Sequence, residues 1–358
     1  MEGLTGLLLD SVLFLVGAAV VLRTLLSALN TFVVPRALPD QLTRLIFQAS
    51  RRVFDALAAL RRDYAGKDAV LAFYAPVTLV ALPALYLMLV QFGFSAIFIA
   101  LHAGPVYEAF LLSGSSLLTL GFAQVSTIPQ TIASFTEATI GLILIATLIA
   151  YLPTMYSAFA NREKVVAMLE VRAGSPPTAI TMLMRYTRLD RLDVLDNEWE
   201  TWEGWFTELQ ESHTSLAALV FFRSALPGQS WINTAGAVLD AAALRLALLD
   251  RPFDVRAAMA LRAGFITLRY IADFFRFEYN HNPAPDDPIS ITREEFDAVC
   301  EVLAGQAVPL KADRDQAWRD FAGWRVNYDT VLLALKRLTV APPAPFTHYD
   351  PVPGSARR

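Results

Sequence analysis

The chain contains no lysine and no arginine between Asp68 and Asn161, and only three acids there, Asp68, Glu108 and Glu137. That stretch is far too long and too apolar to be one buried core helix, and it reads as membrane. Cysteine is nearly absent as well. Cys300 stands alone, which excludes a disulfide framework or a thiolate metal cluster within one chain. No basic residue precedes Arg23, so the start does not read as a secretory signal peptide, which opens on a positive segment. The net charge of −4 and the lack of a basic stripe with interleaved aromatics point away from nucleic acid. No nucleophile–base pairing, no metal-ligand spacing and no G-x-G-x-x-G after a strand pattern stands out. The expectation is a non-enzyme with no cofactor and no nucleotide-binding regulatory domain.

What is present is apolar. Hydrophobic residues make up 55% and charged residues 18%, with mean hydropathy +0.42. Soluble chains hold about 45–50% apolar and about 25% charged residues. Residues 1–34 form a first apolar run, interrupted by Asp10 and Arg23, that either spans with Arg23 reaching an interface or lies along the surface. Pro35 and Pro39 should break it, with Asp40 as the N-cap of the next helix. Residues 35–67 carry a basic amphipathic pattern, with Leu42, Leu45, Ile46, Val53, Phe54, Leu57 and Leu60 at helical spacing among Arg44, Arg51, Arg52, Arg61 and Arg62. Such a helix lies on the cytoplasmic membrane surface. The arginines do not repeat every third residue in an apolar span, so no voltage sensor is indicated.

Residues 68–161 hold two long runs, Ala69 to Leu101 with Pro76 and Pro83, and Ala133 to Ala158. Between them Val106 to Leu118 is helix-like but too short to cross a bilayer. The excess of basic residues before and after this block places its flanks in the cytoplasm. The short helix then dips in from outside and returns, running into Thr119-Leu120-Gly121-Phe122. Non-helical backbone at membrane depth survives only where protein buries it or where it lines a water-filled cavity. An extended Thr119–Phe122 could turn its carbonyls to an axis and replace a cation's hydration shell, with Gly121 free to take positive φ. The short helix would aim its negative end at the same place.

Outer helix, short re-entrant helix, T-x-G-F and inner helix together resemble the pore module of the potassium-channel family over about Ala69 to Ala160. The resemblance implies a filter of Thr119, Leu120, Gly121, Phe122 and Ala123, with the Thr119 hydroxyl and carbonyl at the innermost site. It also implies a gating hinge at Gly141 and a bend at Pro153. One filter segment per chain implies a homotetramer conducting K⁺ or another monovalent cation. Ala123 and Gln124 stand where the family has Gly and Asp, and Leu118 where it has a second threonine. A left-handed Ala123 would be strained by about 1–2 kcal/mol. Potassium, sodium and unselective conduction all stay open.

Ile140, Leu144, Thr147 and Tyr151 share a helical stripe that either lines the cavity or packs on the outer helix. Residues 162–339 read as a helical cytoplasmic domain, with Ser175 as a helix N-cap and Trp199, Trp202, Trp205 and Phe206 as core. His213, His281 and His348 are widely separated and are expected in solvated loops, with a metal or pH-sensing site as the alternative, and residues 340–358 form a proline-rich tail. The whole reading is an all-α, multi-pass subunit of a cell's inner membrane. Its partners are lipid, other copies of itself and an unknown regulatory ligand. The rival reading is a non-conducting membrane anchor for a helical sensor or interaction domain.

Overall fold

The computed structural model describes residues 2–34 and 40–349, and among them 74% is helix with no strand. The all-α expectation therefore holds. Pro35, Pro39 and residues 350–358 of the tail lie outside the described residues, while residues 341–349 form no helix. Among the described residues three helices are long and apolar enough to cross a membrane, over Thr5–Phe32, Tyr64–Ala100 and Ile128–Ala173.

Residues 1–60 and 70–157 group as one compact unit, and residues 61–69 with 158–358 as a second. The first unit is built from α1 (Glu2–Phe32) and α2 (Gln41–Ala59). After α3 (Tyr64–Leu71) it continues with α4 (Tyr74–Ala100), α5 (Val106–Leu117) and the first part of α6 (Ile128–Ala173). Helices α1 and α4 run antiparallel and approach closely at two glycines. A Cβ on Gly17 would sit 2.4 Å from the Gly93 carbonyl oxygen, and one on Gly93 would sit 2.7 Å from the Val21 side chain. Small residues at such a crossing let backbones touch where apolar solvent supplies no hydrophobic drive.

Asp10 and Arg23, inside α1, both find partners. Asp10 lies 3.3 Å from His102, just past α4, and Arg23 lies 2.8 Å from Asp40. Arg23 is thus paired within the protein. Asp40 also caps α2 as expected, accepting from the Thr43 amide at 2.8 Å and from the Ser27 hydroxyl at 2.5 Å. Burial works to raise its carboxyl pKa, but hydrogen bonds from Ser27, Thr43 and Arg23 hold it below the ordinary carboxylate value. Tyr86 closes the cluster, its hydroxyl 2.9 Å from Ser27 and 2.8 Å from Thr43.

The second unit has its core on the inside. It comprises α7 (Ala179–Arg188), α8 (Leu192–Ser215), a 3-10 turn (Ala217–Phe221) and α9 (Trp231–Ala247), followed by α10 (Val255–Phe274), α11 (Arg293–Gly305), α12 (Arg314–Arg325) and α13 (Asp329–Thr339). Every residue of α9 is buried, so it is the centre about which the others pack. Trp199, Trp202, Trp205 and Phe206 of α8 are buried core residues, as their spacing predicted. The cap of α7 is Thr178, whose hydroxyl accepts from the Thr181 amide, and not Ser175. With prolines at 176 and 177 the chain still turns before Thr178 and becomes helical only after it. Arg223 binds Asp68, the Tyr64 hydroxyl and the carbonyls of Thr339 and Val340, which fastens residues 61–69 into this unit.

Candidate functional site

The short helix α5 opens at Pro105, carries Glu108 in its first turn and ends at Leu117. Twelve residues make about 18 Å of helix, short of the ~30 Å hydrocarbon core. Its end is closed by a Schellman pair, with the Leu120 amide donating to the Ser115 carbonyl at 2.8 Å and the Thr119 amide to that of Ser116 at 3.0 Å. Glycine usually fills the left-handed position of this cap. Here Thr119 does, at φ +56°, and its hydroxyl donates to the Leu118 carbonyl at 2.8 Å. Gly121 is left-handed again at φ +72°. Ala123 is not, so the strain expected there falls on Thr119 instead.

Ser115 organises the whole segment. Its carbonyl accepts from the amides of Leu120 and Gly121, the second at 3.4 Å. Its hydroxyl accepts from those of Phe122 at 3.0 Å and Ala123 at 3.1 Å. Four consecutive N–H groups therefore converge on one residue, a nest filled by the chain's own oxygens. In a trans peptide plane the carbonyl of the preceding residue points opposite to the N–H. The carbonyls of Thr119, Leu120, Gly121 and Phe122 consequently point away from α5. They accept no hydrogen bond among the described residues. The Leu120 and Phe122 side chains are each 60% exposed, so the segment lies on the unit's surface.

Two further sets of contacts hold this loop from behind. The buried Gln130 accepts from the Ser126 amide and hydroxyl, both at 3.1 Å, and donates to the Leu101 carbonyl at 3.0 Å. Ser116 and Ser134 meet at 2.7 Å and join α5 to α6. Gly141 sits against the end of α5, where an added Cβ would lie 2.2 Å from the Leu117 carbonyl oxygen. That glycine is a close-packing position between α5 and α6. Pro153 lies inside α6 and removes one rung of its backbone ladder.

The predicted cavity stripe divides. Leu144 and Tyr151 are buried within the chain's own first unit, Tyr151 edge-on to Phe32 at 5.0 Å between ring centroids. Packing is therefore what these two side chains do, with Ile140 against the same core and Thr147 half-buried. The exposed side of α6 carries Leu142, Ile143, Ile145 and Ile149. Sequence reasoning missed Ser115, Gln130 and the buried Glu137. The only signal was the run of small polar residues Ser113–Ser116 and the isolation of Glu137 among apolar neighbours.

These observations define a class: an all-α chain with, among the described residues, three helices of membrane-crossing length and a short helix followed by an irregular segment in which Thr119 and Gly121 are left-handed, where an extended one was expected. Comparison with protein-family models, curated proteins and solved structures finds no match for this chain.

Proposed function

We propose that four copies of this chain assemble into a cation channel of an inner membrane, with Thr119–Phe122 of each copy ringing a central axis. The observation that carries the reading is the orientation of four successive peptide planes, with amides held by Ser115 and carbonyls turned outward and unengaged. Carbonyl oxygens so arranged replace the hydration shell of a monovalent cation. One chain supplies one such arc, so a closed ring needs several copies. Exposed Leu142, Ile143 and Ile149 on α6 suit burial against lipid or neighbouring copies. The length and apolarity of α1 suit a crossing, and the excess of basic residues on either side of the apolar block supports placing those flanks and the C-terminal unit in the cytoplasm.

Potassium is the first candidate ion, because the T-x-G-F segment resembles a potassium filter. The test is ion flux from liposomes holding the purified chain, with K⁺ and Na⁺ compared. The native chain should release K⁺ faster than Na⁺, and Gly121→Asp should bring flux to the protein-free baseline. That substitution forces an L-residue into a left-handed position, at about 1–2 kcal/mol per copy, and adds a charge beside the carbonyls. Equal flux from both would leave a membrane-anchored helical domain instead. Crosslinking in detergent should trap tetramers. Deleting residues after Val171 should change open probability if the second unit gates the pore.

A further inference from the structure

Among the described residues Glu137 is the one acid buried in the first unit's helices, at 0% exposure, and the proposed conduction path gives it no part. Its Oε1 lies 2.5 Å from the Ser113 hydroxyl on α5. The same hydroxyl lies 3.0 Å from the Gln91 carbonyl oxygen on α4. Oε2 is buried without a hydrogen-bond partner among the described residues. Ser113 and Gln91, the polar neighbours on the two packed helices, are uncharged. No lysine or arginine lies between Asp68 and Asn161 to balance a carboxylate. A buried carboxylate with neither a cation nor a full set of donors is strongly disfavoured.

The hydroxyl count adds a second constraint. Ser113 has one hydrogen and two acceptors within reach, so it cannot donate to both. With its hydrogen on the Gln91 carbonyl, which also accepts from the Ser95 hydroxyl at 2.7 Å, the short contact to Glu137 is a hydrogen bond only when the carboxyl donates.

We propose that Glu137 is held as the undissociated acid and donates to Ser113 Oγ, while Ser113 donates to the Gln91 carbonyl. This two-bond relay hangs α5 between α6 and α4, two residues before Ser115 takes hold of the filter amides. Glu137 is then a positioning residue for the filter, a role that rests on the channel reading.

The experiment has two readouts on the full chain in liposomes. The first is the infrared difference between the native chain and Glu137→Gln. The native spectrum should carry the C=O stretch of an undissociated carboxyl that the variant lacks, whereas carboxylate bands in its place overturn the proposal. This readout needs no conduction, so it decides the matter even where the channel reading fails. The second is the K⁺/Na⁺ flux ratio. Glu137→Gln keeps the shape, the neutrality and an N–H donor, and should retain the native ratio. Glu137→Ala and Ser113→Ala should lower it by about tenfold, the effect of one lost buried hydrogen bond, in samples where crosslinking still traps tetramers. A Glu137→Gln ratio as low as that of Glu137→Ala would mean the carboxyl acts as an anion, against the proposal.

Discussion

The two units handle buried polar groups in opposite ways. In the second unit buried charges come with opposite charges: Arg325 with Asp240 and Asp329, Arg245 with Asp196 at 2.9 Å, Arg223 with Asp68. In the first unit, apart from the Arg23–Asp40 pair, the deep polar contacts join hydroxyls, amides and carbonyls, and Glu137 has no cation beside it. Their surfaces differ in the same sense. Most of the chain's exposed large apolar side chains, from Leu7 through Ile149, belong to the first unit. Surrounded by water, a unit hides its apolar side chains and can bury a charge only with a partner. Surrounded by hydrocarbon, it turns apolar side chains outward and keeps neutral hydrogen bonds within.

Breaking a pair in the second unit should therefore give the largest effect on stability. Asp240 accepts from Arg325 and, at 2.7 Å, from the Tyr328 hydroxyl. Asp240→Ala leaves the buried guanidinium short of one partner and should cost about 3–5 kcal/mol. All six tryptophans lie in this unit, so their fluorescence follows its unfolding alone. A loss under about 1 kcal/mol would remove the contrast between the units. Ser115→Ala comes next. It takes the acceptor from the Phe122 and Ala123 amides, at about 1–3 kcal/mol for each orphaned N–H. The expected result is an intact tetramer that no longer discriminates K⁺ from Na⁺ in the flux assay. Native discrimination in that variant would mean the amides are not what orients the carbonyls.

Glycine sharpens the contrast on a smaller scale. Gly141→Ala drives a methyl onto the Leu117 carbonyl and should cost about 1–3 kcal/mol while shifting α5 and lowering flux. In the second unit Gly204 is exposed on α8 with nothing near a new Cβ, so Gly204→Ala should gain about 0.5–1 kcal/mol. Thermal melts followed by circular dichroism and by tryptophan fluorescence, respectively, check the two signs.

The sequence made some of this legible and hid the rest, for physical reasons. The apolar runs of membrane-crossing length, the shortness of Val106–Leu117 and the Asp40 cap rest on local pattern, and local pattern is what a sequence displays. The tryptophan stripe of α8 was readable as core because its spacing matches one helix face. Gly141 was read as a hinge from the family resemblance alone, and its close packing was hidden because Leu117 is distant in sequence and near only after folding. Ser115 carries no signal of its own, since a serine before a helix end is ordinary until the returning chain delivers four amides to it. His213 was expected in a solvated loop, and its polar neighbours Glu211, Ser212, Thr214 and Ser215 give no sign otherwise. It is in fact buried, stacked on Trp231 at 4.8 Å between ring centroids, because the opposite side of α8 faces solvent.

That burial yields the smallest effect, and one with a definite sign. Burial, and the Arg162 guanidinium 3.4 Å from its Nε2, push His213 well below its ordinary value of 6.5, so the folded unit keeps the ring neutral. The unfolded chain titrates it at the ordinary value and so binds more protons than the folded one as pH falls. Stability that is complete above about pH 6.5 is lost as pH drops below it, with a slope of at most about 1.4 kcal/mol per pH unit down to the folded pKa. The carboxylates add their own dependence at lower pH, so the measured quantity is the difference between the native chain and His213→Gln. Tryptophan-monitored unfolding between pH 7.5 and pH 5.5 should show the native chain losing about 1 kcal/mol more than the variant. Parallel curves would mean that the ring is protonated equally in both states. The guanidinium of Arg162 would then have to tolerate a second cation at hydrogen-bond distance, which the rule of paired charges in this unit forbids.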